Sequence, residues 1–249
     1  MKYLCDPHII PTLVPGDSSH ISSYAKVVSE YTNWLHVDID DGHFESEVSW
    51  PYRDPLQWQE LETFSVAASV PQGVSLEAHL MTLHPQALGE RLARAGFKRL
   101  AVHREVFEDD KSALVAIAAL RAAGASEVGL ALKIDTPLSS VEQLVESCDF
   151  IHLMSIAHIG SQGQGFDERA LSRVEELHAS YPELMVAVDG GISEATVEEL
   201  VRSGGNRLMV GHALSEASHP AKTYARILER AMRGCNPVDS LQFTVNSKE

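Results

Sequence analysis

Basic residues are in short supply: 20 Lys and Arg stand against 35 Asp and Glu, a formal net charge of −15 over 249 residues. That balance argues against a surface built for nucleic acid or for an anionic membrane. A small anionic substrate stays open, because backbone N–H groups hold phosphate without a basic patch. Long apolar runs are missing too. No stretch approaches the ~20 apolar residues of a membrane-spanning helix. The start, MKYLCDPHIIPTL, lacks the extended apolar segment of a signal peptide. Cysteine is scarce: Cys5, Cys148 and Cys235 are widely spaced and form no C-x-x-C pair. An odd, scattered set predicts reduced thiols in a cytoplasmic protein and no disulfide framework.

What is present is a core and a rhythm. Hydrophobic residues make up 44% and charged residues 22% of the chain, enough for a sizeable packed interior. Short β-rich runs recur at 8–14, 34–40, 74–81, 99–105, 127–134, 150–156, 184–192 and 207–214. Helical patterns lie between them, among them 85–96, 110–124 and 193–205, the last with Ser193 as its expected N-cap. Regular strand–helix alternation means parallel strands with crossover helices. Eight such units predict an α/β fold of the closed (β/α)8 TIM-barrel kind, spanning 1–249 as one domain with 235–249 as a C-terminal tail. An open doubly wound sheet is the structural alternative, but no G-x-G-x-x-G fingerprint follows the first strand.

Reactive groups in such barrels sit at the C-terminal ends of the strands. His36, Asp38 and Asp40 end the second strand in WLHVDID, and period-two alternation points all three the same way. His79 ends the third strand in LEAHLM, and Asp189 the seventh in VAVDGG. Two imidazoles and several carboxylates gathered in one mouth form a candidate site for a divalent ion, with zinc, iron(II), manganese and cobalt all suited to mixed N/O donors. Singly, each has a plainer reading: hydrogen-bonded barrel histidines, and an aspartate turning the chain before Gly190-Gly191. Their coincidence at matching strand ends favours the metal.

Together the segments WLHVDIDDGHF, LEAHLM, IHLMSI and VAVDGGI resemble the ribulose-phosphate 3-epimerase family, in order and at the expected strand ends. The resemblance implies a barrel of the ribulose-phosphate-binding type that interconverts D-ribulose 5-phosphate and D-xylulose 5-phosphate. It implies His36, Asp38, His79 and Asp189 as metal ligands, with Asp38 and Asp189 also the acid/base pair. Met81 and Met154 match its sulfur-bearing residues near the reacting centre, though they could equally be fillers of the barrel mouth. Thr12 stands where the family has serine. Gly190, Gly191, Gly211 and His212 fall where phosphate is held, and a helix beginning near Ser193 would add its positive end. The partner implied is a small sugar phosphate, and family members are often homo-oligomers.

The departures cluster around substrate binding. Asp40 replaces a methionine, Lys133-Ile134 replaces Asn-Pro after the fifth strand, and AHIGSQGQGF (157–166) rewrites the glycine-rich loop after the sixth. An Asp40–Lys133 ion pair is one expectation, since a third acid in the mouth calls for a cation. His158 and His212 could each face an anion or simply face water. A related ketose phosphate such as allulose 6-phosphate is therefore an alternative substrate. A decarboxylase using Lys133 and a non-catalytic sugar-phosphate-binding relic are alternatives of other classes.

Overall fold

Alternation along each strand divides the molecule into two interiors. On β2 (Trp34–Asp40), Leu35, Val37 and Ile39 join the main apolar core, while His36, Asp38 and Asp40 point the other way and are also buried. The same division holds on β3 (Ser75–Met81), where Leu76, Ala78 and Leu80 face the core and Glu77 and His79 oppose them. A strand buried on both faces must be covered on both, and parallel strands with helical crossovers provide that. In a computed structural model, which describes residues 5–160 and 163–235, eight parallel strands close into a barrel in chain order. The others are β1 (His8–Leu13), β4 (Arg99–His103), β5 (Glu127–Leu132), β6 (Phe150–Met154), β7 (Met185–Asp189) and β8 (Arg207–Val210).

The outer face of the barrel packs beneath helices with ordinary start and stop signals. Asp109 caps the helix Asp110–Ala122 by accepting from the Ser112 N–H at 2.7 Å. Pro85 opens the helix Pro85–Ala95, which Gly96 ends. Inside the barrel a small layer of Ile10, Ala101, Ala131, Phe150, Ala187 and Met209 fills the waist. Beneath it, at the N-terminal ends of the strands, Arg99 and Arg207 pair with Glu127 at 2.9 and 2.6 Å, and Arg99 reaches Glu77 at 3.3 Å. This ionic cluster fills the bottom, and among the described residues the barrel interior opens to a cavity at the C-terminal mouth.

Three sequence expectations are corrected. The β5–β6 crossover holds two 3-10 turns, Leu138–Val141 and Val145–Ser147, in place of an α-helix. It begins with Pro137, lacking an N–H, and runs through Ser139-Ser140, whose side chains compete for backbone hydrogen bonds. After β7 the helix is only Val197–Arg202, with Thr196 as N-cap, because Ser193 closes a turn first by accepting from the Thr196 N–H at 3.2 Å. The expected helix start at Ser193 is therefore absent. Finally, Cys5 and Cys235 form a disulfide with Cα atoms 5.6 Å apart, and only Cys148 is free. Barrel closure sets the last helix, Pro220–Gly234, beside β1 and brings together residues 230 positions apart. The cysteines thus no longer argue for a reducing compartment. Residues 236–249 of the expected tail, and 161–162 of the strand-six loop, lie outside the described residues. Among the described residues no helix is long and apolar enough to cross a membrane.

Candidate metal centre

His36, Asp38, His79 and Asp189, expected together from the sequence, meet at the barrel mouth. Register explains the meeting: Asp38 lies opposite His79 on the neighbouring strand, and β7 delivers Asp189 from across the barrel. Asp38 Oδ1 is 3.0 Å from His36 Nε2 and 3.3 Å from His79 Nδ1. Asp189 Oδ2 lies 3.7 Å from the first nitrogen and 3.6 Å from the second. All four residues are at most 9% exposed, so water does little to screen them.

The partners behind the rings set their tautomers. Glu77 Oε1 accepts from His36 Nδ1 at 2.7 Å, which leaves the Nε2 lone pair facing the two aspartates. His79 Nε2 lies 2.8 Å from His103 Nε2, and His103 Nδ1 donates to Glu105 at 2.9 Å. His103 therefore accepts at Nε2, His79 donates there, and the His79 Nδ1 lone pair also faces the centre. Two lone pairs aimed at two carboxylates repel unless a proton or a metal ion sits between them. The protonation energetics say the same. Burial opposes a charged ring at His36, yet the Asp38 charge and the Asp38 and Glu77 hydrogen bonds hold it well above the ordinary histidine range. Burial likewise opposes ionisation of Asp189, but the imidazoles around it keep its carboxyl far below the usual range. The donor set fits a divalent cation.

Sequence reasoning missed four of the residues that build this centre: Glu77, His103, Glu105 and His152. Each was readable by the alternation that found the others. Glu77 stands two positions before His79, His103 ends β4 with Glu105 two beyond it, and His152 stands two before Met154. His36, His79, His152 and Asp189 each offer a donor atom, all within 4.8 Å of one another.

Above the centre lies a cavity of about 190 Å³. Its wall includes Thr12, Asp38, Met81, Met154, Asp189, Gly190, Gly191, Gly211 and His212, most of the residues singled out for substrate. Met81 and Met154 are buried with Ile156 and Ile159, so they are packing residues and cavity wall at once. Gly191 has φ +63°, and a Cβ there would fall 2.5 Å from the Phe166 nitrogen, so only glycine lets the two loops approach. His158 is exposed and outside the wall; its carbonyl accepts from the Gln164 side chain. His212 is exposed at the rim.

The Asp40–Lys133 pair does not form. Lys133 Nζ is bound to the Glu45 carboxylate and sits 4.2 Å over the Phe44 ring. Asp40 is fully buried, and neither carboxyl oxygen has a partner among the described residues. Burial, with the Asp38 charge second, pushes its carboxyl up to about 8. Gly160 closes over it, where a Cβ would come 2.8 Å from Oδ1. The lysine is spoken for by a loop that reaches it first. With it goes the support for a decarboxylase.

The model of the ribulose-phosphate 3 epimerase family matches residues 8–215. The chain belongs to that family. It is 28% identical over 228 residues to the cytoplasmic isoform of ribulose-phosphate 3-epimerase from Oryza sativa subsp. japonica, covering 88% of this chain and 92% of that one. To the ribulose-phosphate 3-epimerase of Aquifex aeolicus (strain VF5) it is 29% identical over 211 residues, 83% and 88% of the two chains. The family is one of isomerases, and the chain is an isomerase of this kind. Among solved structures, KGPDC from Streptococcus mutans superposes with a TM-score of 0.67 at 14% identity, covering 94% of this chain and 100% of that one. The 3-hexulose-6-phosphate synthase of Salmonella typhimurium gives 0.64 at 17%, covering 91% and 99%. At such identities the likeness is one of fold.

Proposed function

We propose that the chain epimerises a phosphorylated ketose at C3, with D-ribulose 5-phosphate and D-xylulose 5-phosphate as the pair it interconverts. The observation that carries this reading is the placement of two buried carboxylates, Asp38 and Asp189, around one imidazole-lined point at the floor of the cavity. Inverting a carbon requires removing a proton from one face and returning it to the other. Asp38 on β2 and Asp189 on β7 approach from different strands, so each serves one face. His36 and His79, with both aspartates, would hold the divalent ion. That ion, zinc, iron(II), manganese or cobalt, would supply positive charge beside the oxygens that become negative when the C3 proton leaves. Met81 and Met154 exclude water from the reacting carbon. Thr12 contacts the sugar, and the backbone at Gly190, Gly191 and Gly211, with His212 at the rim, receives the phosphate.

One observation favours a neighbouring substrate as the second reading. Asp40, where the resemblance leads one to expect methionine, lies buried behind Gly160 of the cavity wall and so alters the shape of the sugar pocket, which suits a related ketose phosphate such as allulose 6-phosphate. Both readings are tested by following metal-loaded protein with each ketose phosphate in D2O by NMR. The expected result is deuterium at C3 and the epimer accumulating, with Asp38→Asn slower by about 10²–10⁴-fold. Exchange on neither sugar would overturn the proposal.

A further inference from the structure

β6 sends Phe150, His152 and Met154 into the barrel, while Ile151 and Leu153 face the outer core. A barrel interior would ordinarily take a leucine at the middle position. Here it takes an imidazole, fully buried, with neither ring nitrogen hydrogen-bonded among the described residues. Leaving such a group unsatisfied costs about 1–3 kcal/mol. The neighbours in register are Ala131 and Ala187, small enough to leave the ring its space. The ring lies against those of His79 and His36, with centroids 4.4 and 5.5 Å away. Its Nε2 is 3.4 Å from Asp189 Oδ2, on the face that the other two rings turn to the centre. Donors set tetrahedrally around one ion stand ~3.4 Å apart at metal–ligand bonds of about 2.1 Å. The four donors of His36, His79, His152 and Asp189, all within 4.8 Å of one another, close on a single ion with inward shifts of at most about 0.7 Å each.

We propose that His152 is a third imidazole ligand of the divalent ion, beside His36, His79 and Asp189. This rests on the metal reading above and adds to it a donor that the sequence resemblance does not carry. A nitrogen-rich set favours zinc and cobalt over manganese. It also keeps four protein donors on the ion when Asp38 is engaged with a proton.

The test loads the full chain with cobalt(II) and counts the exchangeable, hyperfine-shifted imidazole N–H signals in its proton NMR spectrum. Three are expected in the wild type and two in His152→Leu. Competition with a chromogenic chelator should show zinc binding at least tenfold weaker in that variant, and manganese binding weakened less. The wild-type count stands even if the variant folds poorly. Two signals in the wild type, or unchanged zinc affinity in a folded variant, would overturn the assignment while leaving the epimerase reading intact. Failure to take up cobalt or zinc at all would overturn the metal site and the assignment with it.

Discussion

The two ends of the barrel interior are both charged, yet only at one are the carboxylates answered by permanent cations. At the bottom, two arginines meet two glutamates: Arg99 reaches both, and Arg207 pairs with Glu127. Arg99 also lies 3.5 Å over the Trp34 ring. At the mouth, two carboxylates face two imidazole nitrogens, and the His152 ring stands beside them. No arginine or lysine among the described residues answers the acids, which are matched only by protons on the rings or by an ion between them. Burying unmatched charge is costly anywhere in a protein, so the bottom has the form of a structural plug and the mouth the form of a receptor for a cation. Charge makes the same point locally, since the bottom balances on arginines that stay charged, whereas the mouth balances only by protonating its own rings or by taking up a cation. Glu77 joins the two ends, with one oxygen on His36 and the other on Arg99.

The largest effect on stability should come from breaking the plug. Arg207→Met removes one partner of a buried pair and should lower the unfolding free energy by about 3 kcal/mol, read by denaturant titration. Zinc affinity should stay within about twofold of the wild type, well short of the tenfold or greater loss expected when a group behind a ligand is changed. A tenfold weaker zinc complex in this variant would mean that the two ends act as one network, and the division drawn here would fail.

Glu77 is the residue on which that division turns. Glu77→Gln keeps the shape and an oxygen for the His36 N–H, but removes the charge that strengthens the ring as a donor to metal. Zinc binding should weaken about tenfold in a chelator competition. No change in affinity, together with a loss of stability, would assign Glu77 to the plug alone.

How much of this is readable beforehand follows from the same geometry. β-rich runs at regular spacing locate all eight strands, and strand ends together with period-two alternation locate the four principal mouth residues, because a residue's face in a strand is fixed by counting. The same alternation reaches His103 and His152 as well, which stand in register through Ala131 on β4 and β6; they escape notice because neither β4 nor β6 carries an acid of its own, and Glu105 falls just beyond β4. The plug is invisible for a different reason. Arg99, Glu127 and Arg207 open their strands, where charged residues ordinarily mark the way out to solvent, and only barrel closure turns them inward on one another. The Cys5–Cys235 disulfide is legible only after closure, since its partners are 230 residues apart. Asp40 and Lys133 fail as a pair because strand ends specify height and facing, while loops decide who arrives: Glu45, from the loop after β2, takes the lysine.

Asp40 itself supplies the finest test of the contrast, because it has the mouth's unmatched character without a place among the converging donors. If its burial is a cost, Asp40→Met should stabilise the metal-free protein by about 1–2 kcal/mol, as replacing unsatisfied buried polar groups by apolar ones of similar volume does. For a chain of this size that is roughly 2–8 °C in Tm. Asp40→Asn, which keeps two unsatisfied polar groups in the same space, should gain far less. A destabilised Asp40→Met would show that the carboxyl already has a partner that matters, and that the mouth is satisfied like the bottom. A stabilised variant that loses turnover on one ketose phosphate and not the other would show the opposite. The carboxyl would then be retained for the shape it gives the wall at Gly160, at a cost to the fold that the plug, with every carboxylate paired, does not incur.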